Sequence, residues 1–190
     1  MRVIGGSARG RTLADFPGRE IRPTPDRVRE ALFSILFSKL GPLAGCTVLD
    51  LFAGSGALGI EALSRGAKQV CFVENSRQAV GTIRENLKRC GLDGRAKVLL
   101  ADVWQTLPVL RDETPNALIF ADPPYGREYA PRLLQEIARY GLLAADGLLC
   151  LETATIDSVP DRCASLQLLE RRRYGSTMLH FYHLCAEESA

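Results

Sequence analysis

The sequence predicts an α/β fold built on a mostly parallel sheet. From residue 46 onward, short apolar runs alternate with segments of helical periodicity, as expected when helices connect parallel strands. Two strand-like segments near the C-terminal end, 165–174 and 177–184, are separated only by Gly175 and Ser176, which indicates an antiparallel hairpin. We therefore predict a mostly parallel seven-stranded sheet with helices on both faces and a closing hairpin.

The elements are predicted in order from these patterns. Strands are expected at 46–52, 69–74, 96–101, 116–121, 147–152, 165–174 and 177–184. Helices are expected at 57–65, 76–90, 103–110 and 129–143, with Ser76 capping the second of them. An N-terminal helix is expected at 26–40, where Thr24 would be the cap and Pro25 the first residue.

The first 45 residues have a different character. Segments 2–4 and 11–13 flank a glycine-rich stretch, which predicts a small β-hairpin or a mobile arm. We therefore expect two parts, a basic N-terminal extension at 1–44 and a main domain at 45–190.

Composition sets bounds on the class of protein. The chain has 190 residues, of which 46% are hydrophobic and 24% charged, with a net charge of +2. These values are typical of a globular domain and do not by themselves indicate a nucleic-acid partner. The six cysteines form no C-x-x-C pair, which predicts buried thiols in a reducing compartment and no zinc site.

Membrane and metal sites are not expected either. No apolar segment approaches the roughly 20 residues that a membrane span needs, and no signal-peptide core follows Met1. A cytoplasmic location is therefore expected. His180 and His183 stand three residues apart on one strand and face opposite sides, so we expect no joint metal site.

The segment Asp122-Pro123-Pro124-Tyr125 follows an apolar run that is typical of a buried parallel strand. Proline cannot donate to a sheet, so the strand must end there. The turn then presents a carboxylate, carbonyls and an aromatic ring, which together suit a planar amino group on a base. We predict these four residues as catalytic, although an ordinary strand exit and a core role for Tyr125 remain alternatives.

A glycine-rich segment follows the first predicted strand. Gly54-x-Gly56-x-x-Gly59 matches the dinucleotide fingerprint, so the glycines alone do not separate a nicotinamide enzyme from a methyltransferase. We place Asp50 in the loop ahead of them, where a carboxylate would repel a pyrophosphate. It suits a cationic ligand without phosphate, such as S-adenosylmethionine.

Acidic residues close successive predicted strands. Glu74 can hydrogen-bond ribose hydroxyls, and Asp102 with Val103 can bind an adenine. Because parallel strands share a carboxyl edge, we expect these acids and Asp122 to converge in one crevice; helix capping is the alternative for each acid. The predicted cofactor-binding residues are Asp50, Phe52, Ala53, Gly54, Gly56, Glu74, Asn75, Asp102 and Val103.

These segments resemble a known family. Residues 50–59 and 122–125 are similar to the first and fourth motifs of class I S-adenosylmethionine-dependent amino-methyltransferases. Residues 2–6, 22–33 and 51–63 resemble the bacterial RsmD family. The resemblance implies a Rossmann-like class I methyltransferase fold and methylation of a guanine N2 amine in small-subunit ribosomal RNA. It also places Thr24 and Arg27 near the methionine end of the cofactor, in a pocket over which the N-terminal helix would pack.

Basic residues predict contacts with RNA. Residues 1–30 carry seven arginines against four acids, and arginine can both pair with phosphate and stack on a base. A solvated surface charge is the alternative for each, and a structural role is a further one for Arg27 and Arg29. The predicted RNA-binding residues are Arg2, Arg9, Arg11, Arg22, Arg29, Arg171, Arg172 and Arg173.

The leading hypothesis is a monomeric enzyme acting on ribosomal RNA, either naked or in an assembled particle. The sequence leaves three alternatives open: an amino-methyltransferase acting on adenine or on protein glutamine, a nicotinamide-dependent oxidoreductase, and a non-catalytic RNA-binding protein. The oxidoreductase would need a substrate domain that the sequence does not reveal.

Overall fold

The structure, a computed structural model, describes residues 1–15, 26–124 and 129–185. The chain divides into two compact units, Met1–Val103 and Trp104–Ala190. In the first unit the elements are α1 (Asp26–Leu40), β1 (Thr47–Leu51), α2 (Ala57–Ser64), β2 (Gln69–Glu74), α3 (Arg77–Cys90) and β3 (Ala96–Leu100). The second holds α4 (Val103–Leu110, starting at the boundary), β4 (Asn116–Ala121), α5 (Tyr129–Arg139), β5 (Leu143–Ala154), β6 (Arg162–Cys163), β7 (Leu166–Tyr174) and β8 (Thr177–Leu184).

The first unit is built on three parallel strands in the order β3-β2-β1. Each crossover between them is made by a helix, which is the usual connection between parallel strands. Four of the five β1 residues are buried, because a parallel strand is covered on both faces. The Ser76 hydroxyl accepts a hydrogen bond from the Ala79 amide at 3.3 Å, so the predicted cap of α3 is confirmed.

The second unit orders its strands β4-β5-β8-β7-β6. β4 and β5 are parallel, whereas β5 pairs with β8 and β8 with β7 in antiparallel fashion. The closing hairpin turns at Gly175, whose φ of 63° is left-handed and which glycine adopts without strain. The predicted mostly parallel α/β fold with a C-terminal antiparallel hairpin is confirmed.

Three details differ from the sequence prediction. The described residues contain eight strands and not seven, because the two-residue strand Arg162–Cys163 pairs with the start of β7. α5 ends at Arg139 because Gly141 adopts a left-handed φ of 61°, and the Leu142 amide returns to the Ile137 carbonyl. β5 therefore begins at Leu143, four residues earlier than predicted.

The N-terminal segment is a small hairpin within the first unit. Arg2 and Thr12 form an antiparallel bridge, and the Val3 amide donates to the Arg11 carbonyl at 3.0 Å. Val3, Ala8 and Leu13 are buried. The hairpin alternative is therefore confirmed over the mobile arm, because apolar anchors and backbone bonds hold the segment.

Two further expectations concern the whole chain. All six cysteines are free thiols, but only Cys150 and Cys163 are buried as expected, and the other four are half-buried. Among the described residues, no helix has both the length and the apolar character that crossing a membrane requires.

Candidate functional site

The glycine-rich loop between β1 and α2 has a backbone that few side chains tolerate. Gly54 and Gly56 have φ values of 57° and 77°, and Phe52, which is not a glycine, has a φ of 57°. A bulky residue in the left-handed region is strained, and such strain is concentrated at binding sites. A Cβ on Gly59 would lie 2.3 Å from the Phe72 ring, so only glycine fits there.

Two buried carboxylates hold this loop. The Glu74 Oε2 atom accepts from the Gly54 amide at 2.9 Å, and its Oε1 atom accepts from the Ser76 amide at 2.8 Å. The Asp50 Oδ2 atom accepts from the Gly59 amide at 3.0 Å. Both acids are 3% exposed. Side-chain carboxyl groups of the protein thus accept hydrogen bonds from the backbone amides in and next to this loop.

Asp50 departs from its predicted position. It lies within β1, not in the loop ahead of the glycines. The pKa of Asp50 is raised to about 8, chiefly by burial; the Gly59 hydrogen bond opposes this rise and the neighbouring Glu74 carboxylate adds to it. The residue supports the loop from beneath, and its proposed effect on a cofactor would act through a mostly protonated carboxyl group at neutral pH.

The remaining cofactor candidates of the first unit lie at or beyond strand ends. Glu74 is the last residue of β2, and Asn75 next to it is exposed. Asp102 is half-buried and directly precedes α4, so its predicted binding role and the capping alternative both remain open. Val103 is buried. Arg27 is exposed on α1, whereas Thr24 lies outside the described residues.

In the second unit, Asp122 is the first residue after β4. Asp122 and Pro124 are half-buried, and Pro123 is buried; Tyr125 lies outside the described residues. The strand therefore ends directly before the acid and the two prolines, as expected for residues that cannot continue a sheet. The expected convergence of Asp122 with the acids of the first unit stays a prediction.

A second carboxylate near Asp122 was missed by sequence reasoning. Glu152 on β5 is 6% exposed. Cys150 pairs with Phe120 of β4 and interacts electrostatically with both Glu152 and Asp122. Burial raises the pKa of the Cys150 thiol well above its usual value, and the Glu152 and Asp122 carboxylates add to this effect. An acid at the end of an otherwise apolar strand was the available signal.

Arg29 contradicts its prediction as an RNA-binding residue. Its side chain is completely buried, because it shares one face of α1 with Leu32, Phe33 and Leu36. The Nη2 atom donates to the Arg2 carbonyl at 2.6 Å and to Asp26 at 2.7 Å. Arg29 is therefore a structural link between α1 and the N-terminal hairpin, as the alternative for this residue proposed.

The other predicted RNA contacts are exposed arginines. Arg2, Arg9 and Arg11 lie on the N-terminal hairpin, and Arg22 lies outside the described residues. Arg171, Arg172 and Arg173 are exposed on β7, but successive residues of a strand face opposite sides. The three do not form one patch, and Arg171 and Arg172 are each paired with an acid, Asp161 and Glu170.

Two buried polar residues of α2 that were not predicted anchor the hairpin. Glu61 accepts from the Ile4 amide at 2.7 Å and from the Gly5 amide at 2.8 Å. The Ser64 hydroxyl accepts from the Ala8 amide at 2.9 Å. The signal for Glu61 was a charged residue in the apolar helix α2.

Asn86 connects the hairpin to the glycine-rich loop. Its side chain is completely buried, accepts from the Ala14 amide at 2.7 Å and donates to the Ser55 carbonyl at 3.1 Å. The end of the hairpin and the loop are thereby held by one side chain.

Comparison with known proteins places the chain in a family. The family described as "Conserved hypothetical protein 95" matches residues 1–183. "Putative rRNA methyltransferase YlbH" of Bacillus subtilis is 39% identical over 96% of this chain and 98% of its own length. "Ribosomal RNA small subunit methyltransferase D" of Escherichia coli is 34% identical over 96% of this chain and 89% of its own length.

The chain belongs to the RsmD family. The fold agrees, since the solved structure of "Putative methyltransferase yhhF from Escherichia coli" is 34% identical, covers 98% of this chain and 99% of its own, and superposes with a TM-score of 0.82. The family match includes the N-terminal hairpin and α1 as well as the sheet. The predicted resemblance to RsmD proteins is therefore confirmed over nearly the whole chain.

Proposed function

We propose that this protein transfers a methyl group from S-adenosylmethionine to the N2 amine of a guanine in small-subunit ribosomal RNA. The relatives from Bacillus subtilis and Escherichia coli are named as ribosomal RNA methyltransferases, which supports the substrate class. We further propose that the protein acts as a monomer in the cytoplasm, on naked RNA or on an assembled particle.

The observation that carries the cofactor assignment is the use of the loop amides. A dinucleotide site needs free backbone amides to bind the pyrophosphate. Here the Gly54 and Gly59 amides donate hydrogen bonds to Glu74 and Asp50, and the Gly56 amide donates to the Ala53 carbonyl at 2.8 Å. Amides that already donate within the protein are not available to a pyrophosphate, which supports S-adenosylmethionine over a nicotinamide cofactor.

The residues fit the cofactor's other groups as well. Carboxylate oxygens can each accept two hydrogen bonds, so Glu74 retains lone pairs for ribose hydroxyls after binding Gly54 and Ser76. Asn75 is exposed beside it. Asp102 would accept from the adenine amine, with Phe52 and Ala53 lining the turn of the loop.

Asp122 and Pro123 would bind the acceptor amine. S-adenosylmethionine, when bound, supplies a methyl group activated by attachment to a positively charged sulfur. The Asp122 carboxylate and the Pro123 carbonyl would accept the two N–H bonds of the amine, which favours a pyramidal nitrogen and frees its lone pair. The half-buried position of Asp122 strengthens such hydrogen bonds, because they weaken in water.

Removal of the proton from the amine requires no strong base in the protein. On transfer, the methyl carbon would exchange its bond to sulfur for a bond to the amine nitrogen, the cofactor would be left as a neutral thioether, and one proton would leave the nitrogen. That proton becomes strongly acidic once the nitrogen is alkylated. Asp122 would accept it directly or pass it to water, so positioning supplies most of the rate enhancement.

The decisive experiment is transfer from labelled S-adenosylmethionine to small ribosomal subunits from a strain lacking this protein. Mass spectrometry of the digested RNA should identify N2-methylguanosine. Asp122→Ala should lower the rate at least about a hundredfold while S-adenosylhomocysteine still binds in calorimetry. Asp112→Ala, which removes an exposed acid of the same unit, is the control and should retain activity.

Each other outcome identifies an alternative. A methylated adenine or a labelled protein would indicate a different amino-methyltransferase. Tight binding of NAD in place of S-adenosylhomocysteine would indicate an oxidoreductase. Full activity of Asp122→Ala would exclude the carboxylate from the mechanism.

A further inference from the structure

Trp104, Tyr129 and Arg132 form a cluster of contacting side chains that the proposed function does not use. The ring centroids of Trp104 and Tyr129 are 5.5 Å apart, with the planes inclined at 58°. The Arg132 guanidinium carbon lies over the Trp104 ring, 4.2 Å from its centroid. All three residues belong to the second unit.

The two helices bring these side chains together at their first turns. Trp104 is the second residue of α4, and Tyr129 is the first residue of α5. Arg132 follows Tyr129 by three positions, which places both on the same face of α5. The cluster therefore depends on the contact between two helix starts and not on a single segment.

The cluster is close to the proposed acceptor site along the chain. Tyr129 follows Pro124 by five residues, and five extended residues span at most about 18 Å. Trp104 follows the adenine candidate Asp102 by two residues. Helices that follow parallel strands begin at the carboxyl edge of the sheet, where ligands bind in such folds.

The side chains remain partly open to solvent. Trp104 and Tyr129 are half-buried, and Arg132 is exposed. An arginine stacked on an indole keeps its plane and its outer N–H groups available, so it can stack on a base and bind a phosphate together. Indole and phenol rings provide the flat apolar surface on which unpaired bases stack.

We propose that Trp104, Tyr129 and Arg132 form a stacking platform for an unpaired RNA nucleotide next to the methylated base. A base that enters the active site must leave its own stack, and its neighbours lose a stacking partner as well. The platform replaces that partner and lowers the cost of extruding the target. This inference rests on the proposed function, because it requires an RNA substrate.

The first test compares the RNA affinity of matched variants. The substrate is the small-subunit RNA or particle that the wild-type protein methylates. Trp104→Ala should raise the KM for this substrate about tenfold, in keeping with the loss of one stacked base. Trp104→Phe retains a ring and should stay within about threefold of wild type. Affinity for S-adenosylhomocysteine should be unchanged in both variants.

The chain offers a matched control on the same helix. Arg139 lies over the Tyr140 ring, 5.4 Å from its centroid. This pair is at the carboxyl end of α5, away from the helix starts. Tyr140→Ala should leave the KM for RNA unchanged. Arg132→Lys keeps the charge but loses the planar stacking group, so it should weaken binding nearly as much as Arg132→Ala.

The second test uses the fluorescence of Trp104, which is the single tryptophan of the chain. Addition of a short single-stranded RNA of mixed sequence should quench the emission of the wild-type protein. Tyr129→Ala should reduce the quenching at equal RNA occupancy, measured by filter binding. Because this assay contains RNA and no ribosomal proteins, Trp104 is the only source of tryptophan fluorescence.

Three results would overturn the platform while leaving the proposed function intact. One is normal methylation with an unchanged KM for RNA in Trp104→Ala. Another is RNA binding without any quenching. The third is a loss of S-adenosylhomocysteine affinity in Trp104→Ala at normal RNA affinity, which would assign the ring to the cofactor's adenine. Failure of the wild-type protein to methylate any RNA would instead overturn the proposed function and this inference together.

Discussion

The pKa of Asp50 lies far above that of an exposed aspartate. Its carboxyl group is buried in β1 beside Glu74, and these surroundings raise its pKa to about 8. The usual pKa of an aspartate is about 4. Between these two values the folded protein holds a proton that the unfolded chain has released, so stability must fall as the pH rises.

Replacement of Asp50 should remove this dependence. In Asp50→Asn the amide oxygen can still accept from Gly59, but no proton is lost. The free energy of unfolding of the variant relative to wild type should therefore increase from about pH 5 to about pH 8, by at most about 1.4 kcal/mol per pH unit. Urea unfolding of both proteins across this range measures the difference.

A matched substitution separates this effect from the general pH dependence. Asp93 is exposed, and Asp93→Asn, measured over the same pH range, is the control for exchanging a carboxyl group for an amide. A difference between Asp50→Asn and wild type that does not vary with pH would show that Asp50 is ionised in the folded protein.

At the scale of elements, α2 holds the N-terminal hairpin through Glu61. This carboxylate accepts two hairpin amides and pairs with Arg65 at 2.7 Å. Arg65 also lies over the Phe33 ring, 4.8 Å from its centroid, so the same residue pair connects α2 to α1. The hairpin, α1 and α2 are thus joined by one buried acid and its partner.

Removal of Glu61 should release the hairpin. Glu61→Ala leaves two backbone donors and a partly buried guanidinium without their acceptor, which we expect to cost about 3 kcal/mol of unfolding free energy. Trypsin should then cleave after Arg9 and Arg11 faster than in the wild-type protein. Urea unfolding and the time course of proteolysis provide the two measurements.

The control for this experiment is an exposed pair of the same type. Glu85 and Arg89 are four residues apart on α3, and both are about half exposed. Glu85→Ala should cost less than about 0.5 kcal/mol and leave the proteolysis unchanged. Equal effects of the two substitutions would mean that Glu61 does not anchor the hairpin.

For the molecule as a whole, basic charge is local and not general. The net charge is only +2, yet Arg2, Arg9 and Arg11 lie together on one short hairpin. Arg29 adds nothing to this surface because it is buried. RNA affinity is therefore expected to depend on a few phosphate contacts, each of which releases bound counterions.

The salt dependence of RNA binding tests this distribution. Arg9→Ala and Arg11→Ala should each lower the slope of log affinity against log salt by about 0.7 to 0.9 in magnitude. Arg111→Ala removes an exposed arginine beyond the end of α4, where the helix has left the ligand edge, and should not change the slope. Filter binding over a range of salt concentrations measures all three, and unchanged slopes for Arg9 and Arg11 would remove the hairpin from the interface.

Local patterns predicted the order of elements well. The bounds of α1, α4, β2, β4 and β8 match those predicted, because hydrophobic periodicity and breaking residues act within a few positions. The two-residue strand β6 was missed, since so short a segment has no periodicity. The helix α5 was predicted to reach residue 143 from its periodicity, but it ends at Arg139 because Gly141 adopts a left-handed φ.

The α/β alternation, the glycine-rich loop and the acid-proline segment after β4 could be predicted because each is encoded by neighbouring residues. Which charged and polar residues are buried depends on contacts between distant segments and could not be predicted. Arg29, Asp50, Glu61 and Asn86 all read as surface or ligand-binding types, yet all four lie inside. The physical reason is that burial of a polar group requires a partner, and here the partners of Glu61 and Asn86 are supplied by hairpin residues 56 to 72 positions away.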